Sequence, residues 1–458
     1  MPDALALAKA VRDGDVTPVE LVERSLREIE RVDGELNAFV TVCADQALET
    51  ARGALPDGPF SGVPIAIKDL TETAGIRTTF SSRAFADYVP EHDMAVVRRL
   101  KQAGFVVVGK TNTPEFGVTA VTESELNGAC RNPWDLSRTP GGSSGGAAAA
   151  VAAGLVPVAH GSDGGGSIRI PAACCGLVGL KASRGRISSA PYGEGLAGLS
   201  THGALTVSVR DTAALLDVLA GYEPGDPYWA PPPERPFLEE VGRDPGRLRI
   251  ALAVEPPVPF PVDQACLDAV LGAAELLREL GHDVVETTPP WQSDDLLRLF
   301  MVPWSVGPKL YPVADLSLLT PLNRALAELA EATPSYEYVL AVAGLQALAR
   351  KFVAWSLDYD AVLTPALAMP PVPIGWVLEP EEPMEQFMRG GQFTPFTPFV
   401  NVTGQPAISL PFDVTDGLPV AIQLIGRPAC EAALIRLASQ FETARPWADR
   451  LPQAVGQL

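Results

Sequence analysis

Two glycine-dense loops, PGGSSGG at 140–146 and GSDGGGSIRIP at 161–171, are joined by the small-residue run AAAAVAAGLVPVAH. The run predicts a tight helix followed by a short strand, and a helix face made only of alanine requires backbone packed closely on backbone. Flexible turns rarely carry serines so closely hemmed by glycine. Glycine opens conformations closed to other residues and lets a ligand approach the main chain. In Gly164-Gly165-Gly166-Ser167, successive N–H groups can turn inward to form a nest for a developing oxyanion, a main source of rate in acyl transfer.

The surrounding pattern is α/β. Thr17, Pro18 and Glu20 form a helix start, with Leu21, Val22, Leu26 and Ile29 at helical spacing. Residues 63–67 read as a buried strand that delivers Lys68 at its end. Asp93 is expected to cap a helix running to Gln102, and residues 105–108 to form another buried strand. Strand, helix and strand recur from Arg247. Such alternation implies an α/β fold with covered sheet faces. Residues 222–236 hold six prolines and exclude regular structure. Residues 291–355 read as mainly helical, and their Trp304, Tyr311 and Tyr336 fit either helix core or the apolar wall of a pocket.

Charge and composition remove several classes. A net charge of −20 disfavours direct binding to nucleic acid. Six scattered cysteines suggest no disulfide framework, with Cys174 and Cys175 read as small buried hydrophobes, and four histidines lack zinc-ligand spacing. No metal or cofactor is implied. The N-terminus lacks a signal-peptide pattern, and residues 147–159 are too short to span a bilayer, so a cytoplasmic protein without a membrane partner is expected. The sequon at Asn401 reads as accidental.

Three motif matches fail on context. Residues 104–111 fit the P-loop letters, but Phe-Val-Val-Val between the glycines wants to be a strand. Gly193, Gly195 and Gly198 follow no apolar strand. Gly141-Gly-Ser143-Ser-Gly145 resembles a nucleophile elbow, yet a Pro-containing segment precedes it, and neither His202 nor His282 has the context of a triad member.

The glycine loops, VPIAIKD (63–69), GKTNTPEF (109–116), CGLVGLKASRGRIS (175–188), DAVLTPAL (360–367), NVTGQPAISLPF (401–412) and GLPVAIQLIG (417–426) together resemble the amidase-signature hydrolases across nearly the whole chain. The resemblance implies a large twisted mixed β-sheet covered by helices on both faces, in one domain over 1–458, with a catalytic core at about 60–215 and a variable pocket region at about 290–400. It assigns the nucleophile to Ser167, a bridging serine after a cis peptide to Ser143, 24 positions earlier, and the base to Lys68. Gly164, Gly165, Gly166 and Ser167 become the oxyanion hole, and Ser144, Asp163 and Arg169 supports for the loops. Gly164 departs from the family, which often carries a side chain there. Burial at a strand end would disfavour the Lys68 ammonium and so suit it to act as a base.

On this resemblance the expected partner is a small, fairly apolar amide, with carbamates and esters as further candidates, and the protein a monomer or homodimer. The chain looks most similar to free-standing bacterial amidases acting on aryl amides, carbamates or cyclic nylon oligomers. The A subunit of tRNA-dependent amidotransferases is an alternative, against which stand the −20 charge and Ile170 where that subgroup has Gln. A non-catalytic binding scaffold is the alternative from another class. Residues 371–399 are expected to shape the pocket, with the acidic 379–385 segment as a mobile edge of its entrance.

Overall fold

The computed structural model describes residues 2–450 and 452. Eleven strands form one sheet: β1 (Phe39–Val42), β2 (Pro64–Lys68), β3 (Val106–Thr111), β4 (Val158–Asp163), β5 (Val178–Lys181), β6 (Thr201–Thr206), β7 (Arg249–Leu252), β8 (Asp283–Glu286), β9 (Ala361–Pro365), β10 (Ala407–Thr415) and β11 (Leu418–Gly426). Their spatial order is β1-β3-β2-β4-β6-β5-β10-β11-β9-β7-β8. β2 lies parallel to β3 and β4, and β7 parallel to β8 and β9; the other pairs are antiparallel. The sheet is therefore mixed, as expected.

Both faces are covered. Along β2, Ile65 and Ile67 enter one core cluster while Ala66 enters another, and all five residues are buried. Such continuous burial explains why the strand reads as an unbroken apolar run rather than an alternation. The capping box at Thr17 is formed, starting the helix Pro18–Leu36. The next helix start differs from expectation. Ala95–Gln102 has Met94 at its N-cap, without a side-chain bond. Asp93 instead accepts from the Ala74 N–H at 2.9 Å and pairs with Lys101. A carboxylate able to bind a distant amide and an ammonium was drawn away from the local cap.

The small-residue helix is Gly145–Ala152, and residues 145–151 are buried. A side chain at Gly146 would lie 2.4 Å from the Asn112 nitrogen and 2.6 Å from the Ala38 oxygen, so backbone does pack on backbone there. Residues 222–236 form no helix or strand. The P-loop-like segment is β3, whose buried Lys110 donates to the Thr71 carbonyl and the Thr78 hydroxyl. Cys174 and Cys175 are buried.

The 291–355 segment holds the helices Leu296–Ser305, Pro321–Ala332 and Ser335–Ser356. By length and composition, Ser335–Ser356 is apolar enough to cross a membrane, a feature the sequence reading overlooked. In this fold Ala341, Leu345, Ala349 and Phe352 form its buried stripe. The three aromatics of the segment separate: Trp304 is buried, Tyr311 stacks on Phe116 at 4.4 Å, and Tyr336 is exposed.

Candidate active site

β2 and β4 are parallel neighbours with Ala66 opposite Ala159, so their C-terminal ends reach the same edge of the sheet. This register brings Lys68, the last residue of β2, beside Ser162 near the end of β4. The glycine loops close over that edge. Lys68 Nζ donates to Ser143 Oγ at 2.7 Å and to Ser162 Oγ at 3.1 Å. Ser162 is a neighbour that the sequence reading did not single out.

Lys68 is fully buried. Burial pushes its pKa down to about 7, and the nearby Asp163 charge opposes the shift without cancelling it. An amine so placed is available in neutral form near physiological pH.

The Gly142–Ser143 peptide is cis. The Ser144 N–H donates to the Ser167 carbonyl at 3.2 Å, and Ser144 Oγ donates to the Ser162 carbonyl, also at 3.2 Å. The first serine loop is thus tied to the second loop and to β4. Lys68 and Ser143 are joined directly by their side chains. Ser167 is tied to the neighbouring Ser144 through backbone, and among the described residues no bond links its hydroxyl to Ser143. Catalytic hydrogen bonds in a free enzyme often tighten only around substrate.

The second loop is built around Asp163. Its carboxylate accepts from the N–H groups of Gly166 at 2.8 Å and Ile168 at 3.2 Å, and from Arg169 Nε at 3.0 Å and Nη2 at 2.9 Å. Burial alone would raise the Asp163 pKa, but the Arg169 charge and hydrogen bonds hold it well below the usual carboxylate range. Asn401 and Gln423 complete the network. Asn401 Nδ2 donates to Asp163 Oδ1 at 2.9 Å, while Arg169 donates to Gln423 Oε1 at 2.7 Å and Asn401 Oδ1 at 2.6 Å. Asn401 is 1% exposed, closed to glycosylation and committed to the loop.

This network corrects the expected oxyanion nest. The Gly166 N–H is turned onto Asp163, which leaves the N–H groups of Gly164, Gly165 and Ser167 without acceptors among the described residues. Gly166 has φ +123°, and a side chain there would lie 2.1 Å from Thr397 Oγ1. Glycine at 166 is therefore required by the fold, and its amide is spent on holding the loop. Gly164 and Gly165 differ: a Cβ on either would meet Trp304 at 3.5 or 3.4 Å, ordinary contact distances. Trp304 lies where a side chain at 164 would point.

Ser167 opens into a cavity lined in part by Val118, Ile170, Phe300, Trp304, Val377 and Phe387. Among the described residues no charged side chain lines it. The remaining polar side chains, Thr119, Gln386 and Thr394, are neutral. Gln386 is partly occupied, since its Nε2 donates to the Leu378 and Pro380 carbonyls. The acidic segment at the edge is tied by the Arg389–Glu379 ion pair.

The histidines do not serve the serines. His160 and His202 contact each other at 3.2 Å, and burial drives both toward the neutral form, His202 down to about 4. His282 accepts from the Leu248 N–H and contacts Gln440. This arrangement offers Ser143 no imidazole base and removes the elbow reading. Among the described residues no cluster of His, Cys, Asp and Glu could hold a metal ion.

Comparison with known proteins agrees with this architecture. The family model described as Amidase matches residues 20–435. The putative amidase AmiB2 of Mycobacterium tuberculosis (strain ATCC 25618 / H37Rv) is 43% identical over 462 residues, covering 98% of this chain and 97% of that protein. The solved structure of 6-aminohexanoate cyclic dimer hydrolase complexed with substrate superposes with a TM-score of 0.95 at 36% identity, over 99% of both chains. A bacterial aryl acylamidase of the amidase-signature enzymes superposes with a TM-score of 0.86 at 27% identity, over 99% of this chain and 98% of that one. Sheet, glycine loops and full-length similarity converge, and the chain belongs to the amidase-signature family as an amide C–N hydrolase.

Proposed function

We propose that this hydrolase cleaves small, fairly apolar amides through Ser167 as nucleophile, Ser143 as proton relay and Lys68 as base. The observation that carries the reading is the buried Lys68 amine on Ser143 Oγ at 2.7 Å, in a loop tied through the Ser144 N–H to the backbone of Ser167, which opens into an uncharged cavity. Neutral Lys68 accepts the Ser143 proton as Ser143 takes the proton of Ser167. Ser167 Oγ then bonds to the carbonyl carbon, and the N–H groups of Gly164, Gly165 and Ser167 hold the oxyanion. The proton returns through Ser143 to the departing nitrogen, the C–N bond breaks, and water hydrolyses the acyl-enzyme by the same route. The apolar lining supports aryl or alkyl amides ahead of substrates bearing a free carboxylate, as do the amide substrates that the aryl acylamidase and nylon-dimer hydrolase names imply.

The direct test is to incubate the enzyme with p-nitroacetanilide and with a p-nitrophenyl carbamate, and to map any slowly released carbamoyl group by peptide mass. An adduct on Ser167 is expected, with the two turnover rates ranking amide against carbamate. An adduct on Ser143 would reassign the nucleophile. Hydrolysis confined to small polar amides would overturn the substrate class.

The pH profile gives a second test. Lys68 must be neutral to accept a proton, and burial places its pKa at about 7. kcat/KM should therefore climb about tenfold per pH unit below 7 and level off above it. A profile flat from pH 5.5 to 8 would remove Lys68 as the base.

A further inference from the structure

A second cavity adjoins the first and is walled by Pro257, Val258, Phe260, Leu296, Leu297 and other apolar residues. The two cavities share Phe300, Phe387, Gly391 and Pro398. Gly390 and Gly391 lie inside the helix Pro383–Phe393, where glycine is a poor helix former. Packing does not demand them. An added Cβ would meet only Ala120 at 3.9 Å from Gly390 and only Phe260 at 3.7 Å from Gly391, both ordinary contacts. Gly166 shows the contrast, with Thr397 at 2.1 Å. Gly391 borders both cavities, and a side chain there would extend toward Phe260 in the wall of the second.

Resting on the proposed Ser167 chemistry, we infer that the second cavity is a binding site for an extended apolar acyl arm, with Gly391 as the opening through which the arm passes. The departing nitrogen must sit where Ser143 can hand it a proton. Neither Ser143 nor Lys68 lines the first cavity, whereas Ser167 and Gly165 do. The group running from Ser167 into the cavities is therefore the acyl substituent. Among the described residues the wall of the far chamber holds no charged or hydrogen-bonding side chain, so the arm it takes is an alkyl or aryl chain.

The test is a series of p-nitroanilides with acyl chains from acetyl to octanoyl, alongside N-alkyl acetamides from methyl to hexyl. In wild type, kcat/KM should rise by up to about fourfold per methylene along the acyl series, reaching on the order of 10²-fold at hexanoyl. The N-alkyl series should stay within about threefold. Gly391→Leu at the passage and Leu297→Gln in the far wall should each lower the hexanoyl-to-acetyl ratio at least tenfold. That ratio is independent of how much of the preparation is active, and leucine suits a helix better than glycine. Calorimetric binding of octanamide and acetamide to Ser167→Ala reads the chamber without chemistry. Tighter binding of octanamide is expected, and adding Gly391→Leu should abolish the difference. A flat acyl series with acetanilide still hydrolysed, a rising N-alkyl series, or variants that keep the wild-type chain-length dependence would each overturn the inference while leaving the Ser167 reading intact. Loss of all anilide hydrolysis with the amide-binding difference preserved would instead fault the chemistry and keep the chamber.

Discussion

Replacing Ser167 with alanine is expected to lower kcat for p-nitroacetanilide by a factor on the order of 10⁴–10⁶, and Lys68→Ala by a similar factor. Alanine at 167 leaves the N–H groups of Gly164 and Gly165 in place but supplies no oxygen to form the acyl-enzyme. At 68 the loss is of the buried amine that Ser143 touches at 2.7 Å, and the protein offers no substitute nearby. His160 and His202 are occupied with each other and held neutral by burial, and Asp163 is engaged by Arg169. Lys68→Arg should fare no better than alanine, because a guanidinium stays protonated throughout the working pH range and cannot act as a base. Since the three side chains act as a unit, the Ser167→Ala/Lys68→Ala double variant should lose no more than about threefold beyond either single one. Single-turnover rates on purified variants would decide it. Losses that multiply in the double variant would mean the two residues act independently, which the relay does not allow.

The parts of this site that were legible in the sequence are those whose physical cause is local. Glycine at 166 answers a positive φ and a contact that excludes any side chain, and such a need leaves a mark at the position itself. A charged residue ending an apolar strand told where Lys68 would stand. Asn401 and Gln423 left no comparable mark. They reach Asp163 and Arg169 from 238 and 254 positions away, and although both lie in segments that carry the resemblance, NVTGQPAISLPF and GLPVAIQLIG, no local need singles out either one as a network member. Trp304 was equally ambiguous. Its helix would bury an indole in either role, and only the fold sets it against the glycines at 164 and 165. The Gly166 amide was misread for a related reason: a row of glycines suggests a row of free donors, and the sequence does not reveal that Asp163 turns back to claim one of them. Asp93 erred in the same direction, with a tertiary partner prevailing over the local cap.

Arg169→Met should be the most damaging change to stability among those considered, at about 3–5 kcal/mol, because it strands a buried carboxylate. Arg169 and Asp163 are both 0% exposed, and the guanidinium also engages Asn401 and Gln423. The pH dependence separates this cause from simple loss of packing. In the wild type Asp163 is held well below its unfolded pKa, so its contribution is present above about pH 4 and fades as pH falls further. Without Arg169, burial becomes the larger influence and the folded chain favours the protonated acid. In the wild type burial and the Arg169 charge push the pKa of nearby Lys181 down to about 7; losing Arg169 relieves part of that shift, but Lys181 Nζ donates to the Ala182 carbonyl and makes no hydrogen bond to the Asp163 carboxylate. The sign therefore reverses: the deficit of Arg169→Met should grow as pH rises from about 4 to 7. Adding Asp163→Asn removes the stranded charge and should recover more than half of the loss, since a buried pair replaced by neutral groups costs far less than a pair half removed. Urea unfolding midpoints of the single and double variants at pH 5 and pH 7 would test both statements. A deficit that is the same at both pH values, or an Asp163→Asn addition that only worsens it, would show that the guanidinium acts through shape rather than charge, and that Asp163 orders the serine loop without needing its partner.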